Sequence, residues 1–195
     1  MGETATSRKC DLCSHTSSRS ETFTIYNLPV NNDVAQPVSL EEALRSQCKP
    51  EYLKGNDRYQ CECSNTPQQA EQTIIFTLLL RFWFICLKRF RYDRHLHTIS
   101  KIMTKVSTPE VMTIKEESFR LIAVIIHKGD FFDSGHYMTY FNDADCGLSN
   151  TTWFLADDRV VDTVPYENLK KLLNGDWPDQ QTPYVLLYKN VTNTI

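Results

Sequence analysis

The segment IIFTLLLRFWFICL, running from Ile74 to Leu87, constrains the fold more than any other part of this chain. A helix crossing a bilayer needs about 20 apolar residues, and this run is shorter and carries Arg81 in its middle. It reads as buried β-structure, either one long strand or two strands joined at a bend. The chain has 195 residues, 41% of them hydrophobic, which is enough to bury a substantial core and fits one large domain or part of a larger one. A net charge of −3 with no basic block excludes the electrostatic footprint of a nucleic-acid binder. The opening MGETATSRKC is polar from its first residues, so neither a secretion signal nor a membrane span is expected. An intracellular location, in cytoplasm or nucleus, follows from that reading.

The cysteines agree with a reducing compartment. Seven is an odd count, which argues against a complete disulfide framework. Cys10 and Cys13 form CDLC, Cys61 and Cys63 form CEC, and Cys48, Cys86 and Cys146 stand alone. Zn2+ takes four soft ligands in a tetrahedron, and two cysteine pairs on neighbouring turns can supply them. The first pair has the favourable two-residue spacing. The second has a single intervening residue, and in an extended strand its side chains would point to opposite faces. Two readings stay open: a structural zinc on Cys10, Cys13, Cys61 and Cys63, or free thiols on a hairpin tip. His15 is a conceivable substitute ligand.

Local patterns give the remaining elements. ETFTIYNLPV alternates and contains β-formers, so it is expected to be one strand ended by Pro29 and the NND turn, with SHTSSRS before it as a polar loop. Ser39 followed by Glu42 makes a capping box for a short amphipathic helix that buries Leu40, Ala43 and Leu44. FWFICLKRFRYD, ESFRLIAVIIHKG, HYMTYF and TPYVLLYKN read as strands. TTWFLADDRVVDTV reads as two paired strands, and YENLKKLLNG as a helix ending at Gly175. Strands dominate and the helices lie apart from them, so the expected class is α+β with antiparallel sheet.

Within FFDSGHYMTYF, Gly135 and His136 sit between an acidic loop and an aromatic strand. Imidazole titrates near neutral pH, so a positioned histidine can act as a general base; the alternative is a surface histidine at a strand end. A base histidine needs an acid to fix its tautomer, and Asp157 and Asp158 in WFLADDRVV lie one hairpin away. Two aspartates in a turn are the competing explanation. If that segment is extended, Asp158 points away from its neighbour and is the poorer partner.

CDLC, YQCEC, LKRFRYD, KI, FRLIAVIIHKG, SGHYMTYF, WFLADDRVV and PYVLLY, in that order, resemble the catalytic domain of the ubiquitin-specific proteases. The likeness runs from about Cys10 to Tyr188. It implies a papain-like fold of fingers, palm and thumb, with fingers over approximately 1–75 and palm over approximately 76–190. Cys10, Cys13, Cys61 and Cys63 fall at the finger zinc positions. His136 corresponds to the general base, Asp157 to the acid that orients it, and Asp158 to an assisting acid. YDRHLHTISK and HKGDFFDSG match the two loops flanking the channel for the ubiquitin tail. Gly135 and Tyr137 are then substrate-binding residues, and ubiquitin or ubiquitinated proteins are the partners. No cofactor is implied for catalysis.

Two departures stand against the likeness. The family's nucleophilic cysteine lies in a box with an upstream asparagine or glutamine, and nothing before Cys10 resembles it. Cys86 reads as core, and Cys48 and Cys146 lack the electropositive surroundings that make a thiolate. RFWFICLKRF also lacks the family's proline upstream of LKRF. The expected function is therefore hydrolysis at the ubiquitin C-terminal glycine by a partial domain, without a thumb, that lacks its nucleophile and is inactive alone. The alternatives are a noncatalytic ubiquitin-binding or scaffold module and, more remotely, a small zinc-ribbon interaction protein.

Overall fold

The computed structural model describes residues 1–31, 37–94, 97–131, 133–143, 152–178 and 180–192. In chain order, β1 (Gly2–Cys10), β2 (Thr16–Phe23), β3 (Ile25–Pro29) and β4 (Val38–Ser39) precede helix α1 (Leu40–Gln47). There follow β5 (Glu51–Leu53), β6 (Tyr59–Cys61), β7 (Thr66–Gln68), β8 (Ala70–Leu78), β9 (Phe82–Lys88) and β10 (Phe90–Asp93). Then come β11 (Thr98–Lys101), β12 (Val106–Ser107), β13 (Val111–Ile114), β14 (Glu117–Lys128), β15 (His136–Asn142), β16 (Trp153–Asp157) and β17 (Val160–Val164). Helix α2 (Tyr166–Leu173) and β18 (Gln181–Asn190) close the described fold. The class is α+β, built mainly on antiparallel pairs.

The apolar run is two strands, and they serve different units. One compact unit comprises residues 1–24 and 44–80, the other 25–43 and 81–195. The chain changes unit three times, after Thr24, Ala43 and Leu80. The first change splits the expected strand ETFTIYNLPV at Thr24. Its two halves bury rings in different cores: Phe23 packs edge-on against Phe76, and Tyr26 against Trp83. The third change falls at Arg81, where β8 has ended and β9 begins.

The first unit holds a four-stranded sheet in the order β2-β1-β8-β5, with the β6–β7 hairpin beside it. The polar loop expected at SHTSSRS is in fact part of β2, which pairs with β1 from Gly2↔Phe23 to Lys9↔Thr16. Both strands carry threonine and serine on mostly half-exposed faces, so no apolar alternation marks them in the sequence.

The second unit holds an eight-stranded sheet with the path β17-β16-β15-β14-β18-β9-β3, and β13 also pairs with β14. Only β3 runs parallel to its neighbour in this sheet. Alternate residues of β9, Trp83, Ile85 and Leu87, are fully buried, as are Val124, Ile126, Leu186 and Tyr188. Trp83 meets Phe119 edge-on at 5.4 Å, and the buried Tyr188 hydroxyl donates to the Pro109 carbonyl at 2.7 Å. Each such side chain contributes about 1.5–3 kcal/mol through burial. Helix α1 buries Leu40 and Leu44, and α2 buries Leu169, Leu172 and Leu173. The opposite face of β9 is different, since Phe82 and Phe84 are part-exposed and Ile25 stands beside Phe84 in register.

FWFICLKRFRYD is interrupted at Arg89, between β9 and β10. Arg89 is fully buried, donating from Nε to the Pro183 carbonyl and from Nη1 to the carbonyls of Ile102 and Thr104. Its guanidinium also lies 5.5 Å from the Trp177 ring. Burial lowers its pKa to about 10, which leaves it a cation at neutral pH. The NND turn falls largely outside the described residues.

Candidate active site and cysteine cluster

β14, β15 and β16 are adjacent antiparallel strands, and that order brings His136 to Asp157. His136 opens β15 opposite Lys128, while Asp157 closes β16. The two residues end up at the same end of neighbouring strands, and His136 Nε2 is hydrogen-bonded to Asp157 Oδ1. An ionised carboxylate can only accept, so Nε2 carries the proton and Nδ1 is left with its lone pair. The side chains are half-exposed, at 40% and 43%. Asp157 also lines an open depression with Leu155, Asp158, Arg159, Val160 and Asp162. Burial and the nearby Asp157 charge push the Tyr140 hydroxyl above the usual tyrosine range.

Asp158 does not point away, as an extended segment would require. It takes a left-handed backbone (φ 52°) in the β16–β17 turn, a conformation aspartate tolerates better than most residues. Its carboxylate oxygen, the Asp157 oxygen and the His136 nitrogen all lie within 4.8 Å of one another. The physical reason is that β16 ends one residue earlier, so strand alternation no longer governs the direction of Asp158.

Gly135 precedes the base with φ +151°. A Cβ there would stand 2.2 Å from His127 Nε2 and 2.8 Å from the Lys128 carbonyl, so only glycine fits. Tyr137, half-exposed, joins an aromatic group with His127 (4.9 Å between ring centroids) and Tyr184 (6.0 Å). Phe90 completes that group at 5.5 Å from His127 and 6.1 Å from Tyr184. The His127 imidazole is pushed below its usual range by burial and by Lys101, against a raising hydrogen bond to the Ser134 backbone. His127, Tyr184 and Phe90 were not singled out in the sequence. A histidine within a strand gives no signal of its own until the register shows which loop it faces.

No cysteine sulfur joins the His136 group among the described residues. Cys86 is half-buried rather than core, because it sits on the less covered face of β9. Burial raises its thiol pKa, opposed by a hydrogen bond with Tyr184 and by Lys88, so it is a poor thiolate. Cys146 lies outside the described residues.

In the other unit, two hairpin ends gather Cys10, Cys13 and Cys61, whose sulfurs lie within 4.8 Å of one another. Cys10 ends β1 and Cys61 ends β6, and both are fully buried. The Cys13 and Cys61 sulfurs are 3.6 Å apart. Tetrahedral zinc with bonds of about 2.3 Å sets its sulfurs about 3.8 Å apart, close to the Cys13–Cys61 separation. The backbone N–H of Ser64, then that of Cys63, donates to the Cys61 sulfur and lowers its pKa to about 6 despite burial. The His15 amide donates to Cys13, but burial and the sulfurs of Cys61 and Cys10 push that thiol up to about 11. Cys63 is exposed and outside the group, because β6 stops at Cys61 and the chain turns away. Among the described residues the group within 4.8 Å holds Cys10, Cys13 and Cys61, and Cys63 and His15 lie outside it.

A histidine hydrogen-bonded to a carboxylate on adjacent strands is an arrangement that can move a proton to and from a reacting group. Comparison with known sequences specifies the class. The profile of the ubiquitin carboxyl-terminal hydrolase family matches residues 1–188, and this chain belongs to that family. It is 26% identical over 188 residues to ubiquitin carboxyl-terminal hydrolase 13 of Saccharomyces cerevisiae, covering 93% of this chain and 24% of that protein. Ubiquitin carboxyl-terminal hydrolase 9 of the same yeast is 28% identical over the same shares. The protein named probable ubiquitin carboxyl-terminal hydrolase 9 of Schizosaccharomyces pombe is 30% identical over 196 residues, covering 96% of this chain and 32% of that one. The chain therefore spans about a quarter to a third of the length of these relatives.

Proposed function

We propose that this chain is the finger and palm portion of a deubiquitinase catalytic domain, with His136 as general base, Asp157 as its orienting acid and Asp158 as an assisting acid. The observation that carries this reading is the hydrogen bond from His136 Nε2 to Asp157, which leaves Nδ1 for a thiol. In the reaction, Nδ1 takes the proton of a cysteine thiol and the thiolate attacks the carbonyl of ubiquitin's C-terminal glycine. The imidazolium then protonates the departing lysine amine, and water attacks the thioester with His136 again as base. The thiol comes from polypeptide other than residues 1–195, so the isolated chain is inactive. Gly135 and Tyr137 contact the ubiquitin tail, the narrow approach suiting a terminus of two glycines. Cys10, Cys13 and Cys61 hold a structural zinc that ties the two hairpin ends and takes no part in the chemistry. The partners are ubiquitin and its conjugates, and the chain works inside the cell, where thiols stay reduced. Among the described residues no helix is long and apolar enough to cross a membrane.

A ubiquitin derivative with a thiol-reactive C-terminus tests the missing nucleophile. The isolated chain is expected to remain unlabelled, and to gain hydrolase activity when a family member's nucleophile-bearing segment is added. Labelling that disappears in His136→Ala would show that the chain has its own thiol. Ubiquitin binding without rescue by any such segment would favour the noncatalytic binding module.

A further inference from the structure

Lys101 ends β11, yet its ammonium is spent on another loop. Nζ donates to three backbone carbonyls: Gly129 at 2.6 Å, Gln180 at 3.1 Å and His127 at 3.2 Å. An ammonium has three N–H groups, so every donor is used. The acceptors lie at one place in the fold. His127 is in the last turn of pairing of β14, Gly129 begins the loop that returns to His136, and Gln180 immediately precedes β18.

The neck of that loop is narrow. Gly129 has φ +127°, and a Cβ on it would lie 3.3 Å from the Gly135 Cα at the returning end. The Gly129 N–H donates to the Gln180 carbonyl at 3.0 Å, and Gln180 itself has a left-handed backbone with φ 63°. The Gln180 amide also donates to Asp130 at 3.0 Å. Three carbonyls converging on one point repel one another, and here a single cation holds them together.

We infer that Lys101 is a positioning residue, which fastens the β10–β11 hairpin to the neck of the loop preceding His136 and so sets the channel that receives the ubiquitin tail. This rests on the deubiquitinase reading above, in which those two segments flank the channel. Lys101 touches no reacting atom in this scheme and acts through the backbone on either side of His127 and Gly135. The location is unfavourable for a cation: burial and the neighbouring Arg89 lower its pKa to about 8, with Asp130 opposing.

Lys101→Met keeps the aliphatic stem and removes the donors, while Lys101→Arg keeps the charge on a flat fork that cannot serve three converging acceptors. Amide hydrogen exchange, thermal melting and ubiquitin titration followed by NMR are measured on the 195-residue chain. In Lys101→Met the Gly129 amide is expected to exchange at least tenfold faster, with Val124 and Leu186 unchanged. Ubiquitin affinity should fall about tenfold, measured at a temperature where both chains are folded. Lys101→Arg should show the same pattern with smaller factors. Unchanged Gly129 exchange in both variants would sink the proposal, as would wild-type ubiquitin affinity in a folded Lys101→Met or Lys101→Arg chain. Failure of the wild-type chain to bind ubiquitin would refute the deubiquitinase reading instead, because exchange at Gly129 is read without ubiquitin.

Discussion

Replacing Gly135 with alanine adds one methyl group at the most crowded backbone position near the candidate site. Two costs follow from the geometry. The first is conformational: φ +151° belongs to a region that is nearly glycine-only, worth about 1–3 kcal/mol for another residue. The second is steric. The new Cβ would stand 2.2 Å from His127 Nε2 and 2.8 Å from the Lys128 carbonyl, and His127 is fully packed, so it can only leave by disturbing Phe90 and Tyr137. Overpacking of this kind costs about 1–3 kcal/mol. Together they reach about 4 kcal/mol, and at about 2–4 °C per kcal/mol for a chain of this size the melting point drops by about 8–16 °C. Gly55→Ala is the control. It too has a left-handed backbone (φ +64°), but a Cβ there meets nothing within 4 Å, so only about 1 kcal/mol is expected. Calorimetry or circular dichroism of the two variants decides the matter. A Gly135→Ala chain melting no lower than Gly55→Ala would refute the argument that His127 blocks the position.

His127 is held below its ordinary pKa, so the unfolded chain binds the extra proton first, and stability should fall as pH drops below about 6.5. Urea melts between pH 7.5 and 5 should show this loss, and His127→Gln should flatten it. Lys101 is also held low, so stability should rise as pH climbs from about 8 to about 10.5, and Lys101→Met should abolish that rise in the same melts. Metal analysis of the purified chain should approach one zinc equivalent, lost in Cys61→Ser and retained in Cys63→Ser; loss in both would restore the four-cysteine set. Asp157→Asn should remove the fixed tautomer of His136, visible as a changed imidazole nitrogen shift, whereas Asp158→Asn should alter it less.

The legible parts of this fold were those where burial imposes a period. The strands of Val124, Leu186 and Trp83, and helix α2 with Leu169, Leu172 and Leu173, declare themselves through apolar spacing. The meeting of His136 and Asp157 followed from two strand ends one hairpin apart, which fixes position without knowledge of the whole sheet. β1 and the start of β2 escaped because Thr4, Thr6, Ser17 and Ser18 present polar groups on both faces. The direction of Asp158 escaped because one residue of strand ending reverses it. Lys101 stands in the KI of the family-like order, but its partners escaped, because its three acceptors are backbone carbonyls and a carbonyl has no sequence.

The interleaving of the two units has a consequence for how the chain is made. β3 takes its place only by pairing with β9, and β1 sits in its sheet between β2 and β8. β9 is synthesised about 60 residues after β3, which at about 5–20 residues per second is roughly 3–12 s of translation. Through that interval Ile25, Tyr26 and Leu28 emerge with no strand to receive them, and Tyr26 has no Trp83 to pack on. Neither unit can be completed by the ribosome before the other has begun. Slow codons or a holding chaperone would therefore matter most around residues 25–80, and a nascent chain stalled there would expose an unpaired apolar edge to its neighbours on the polysome.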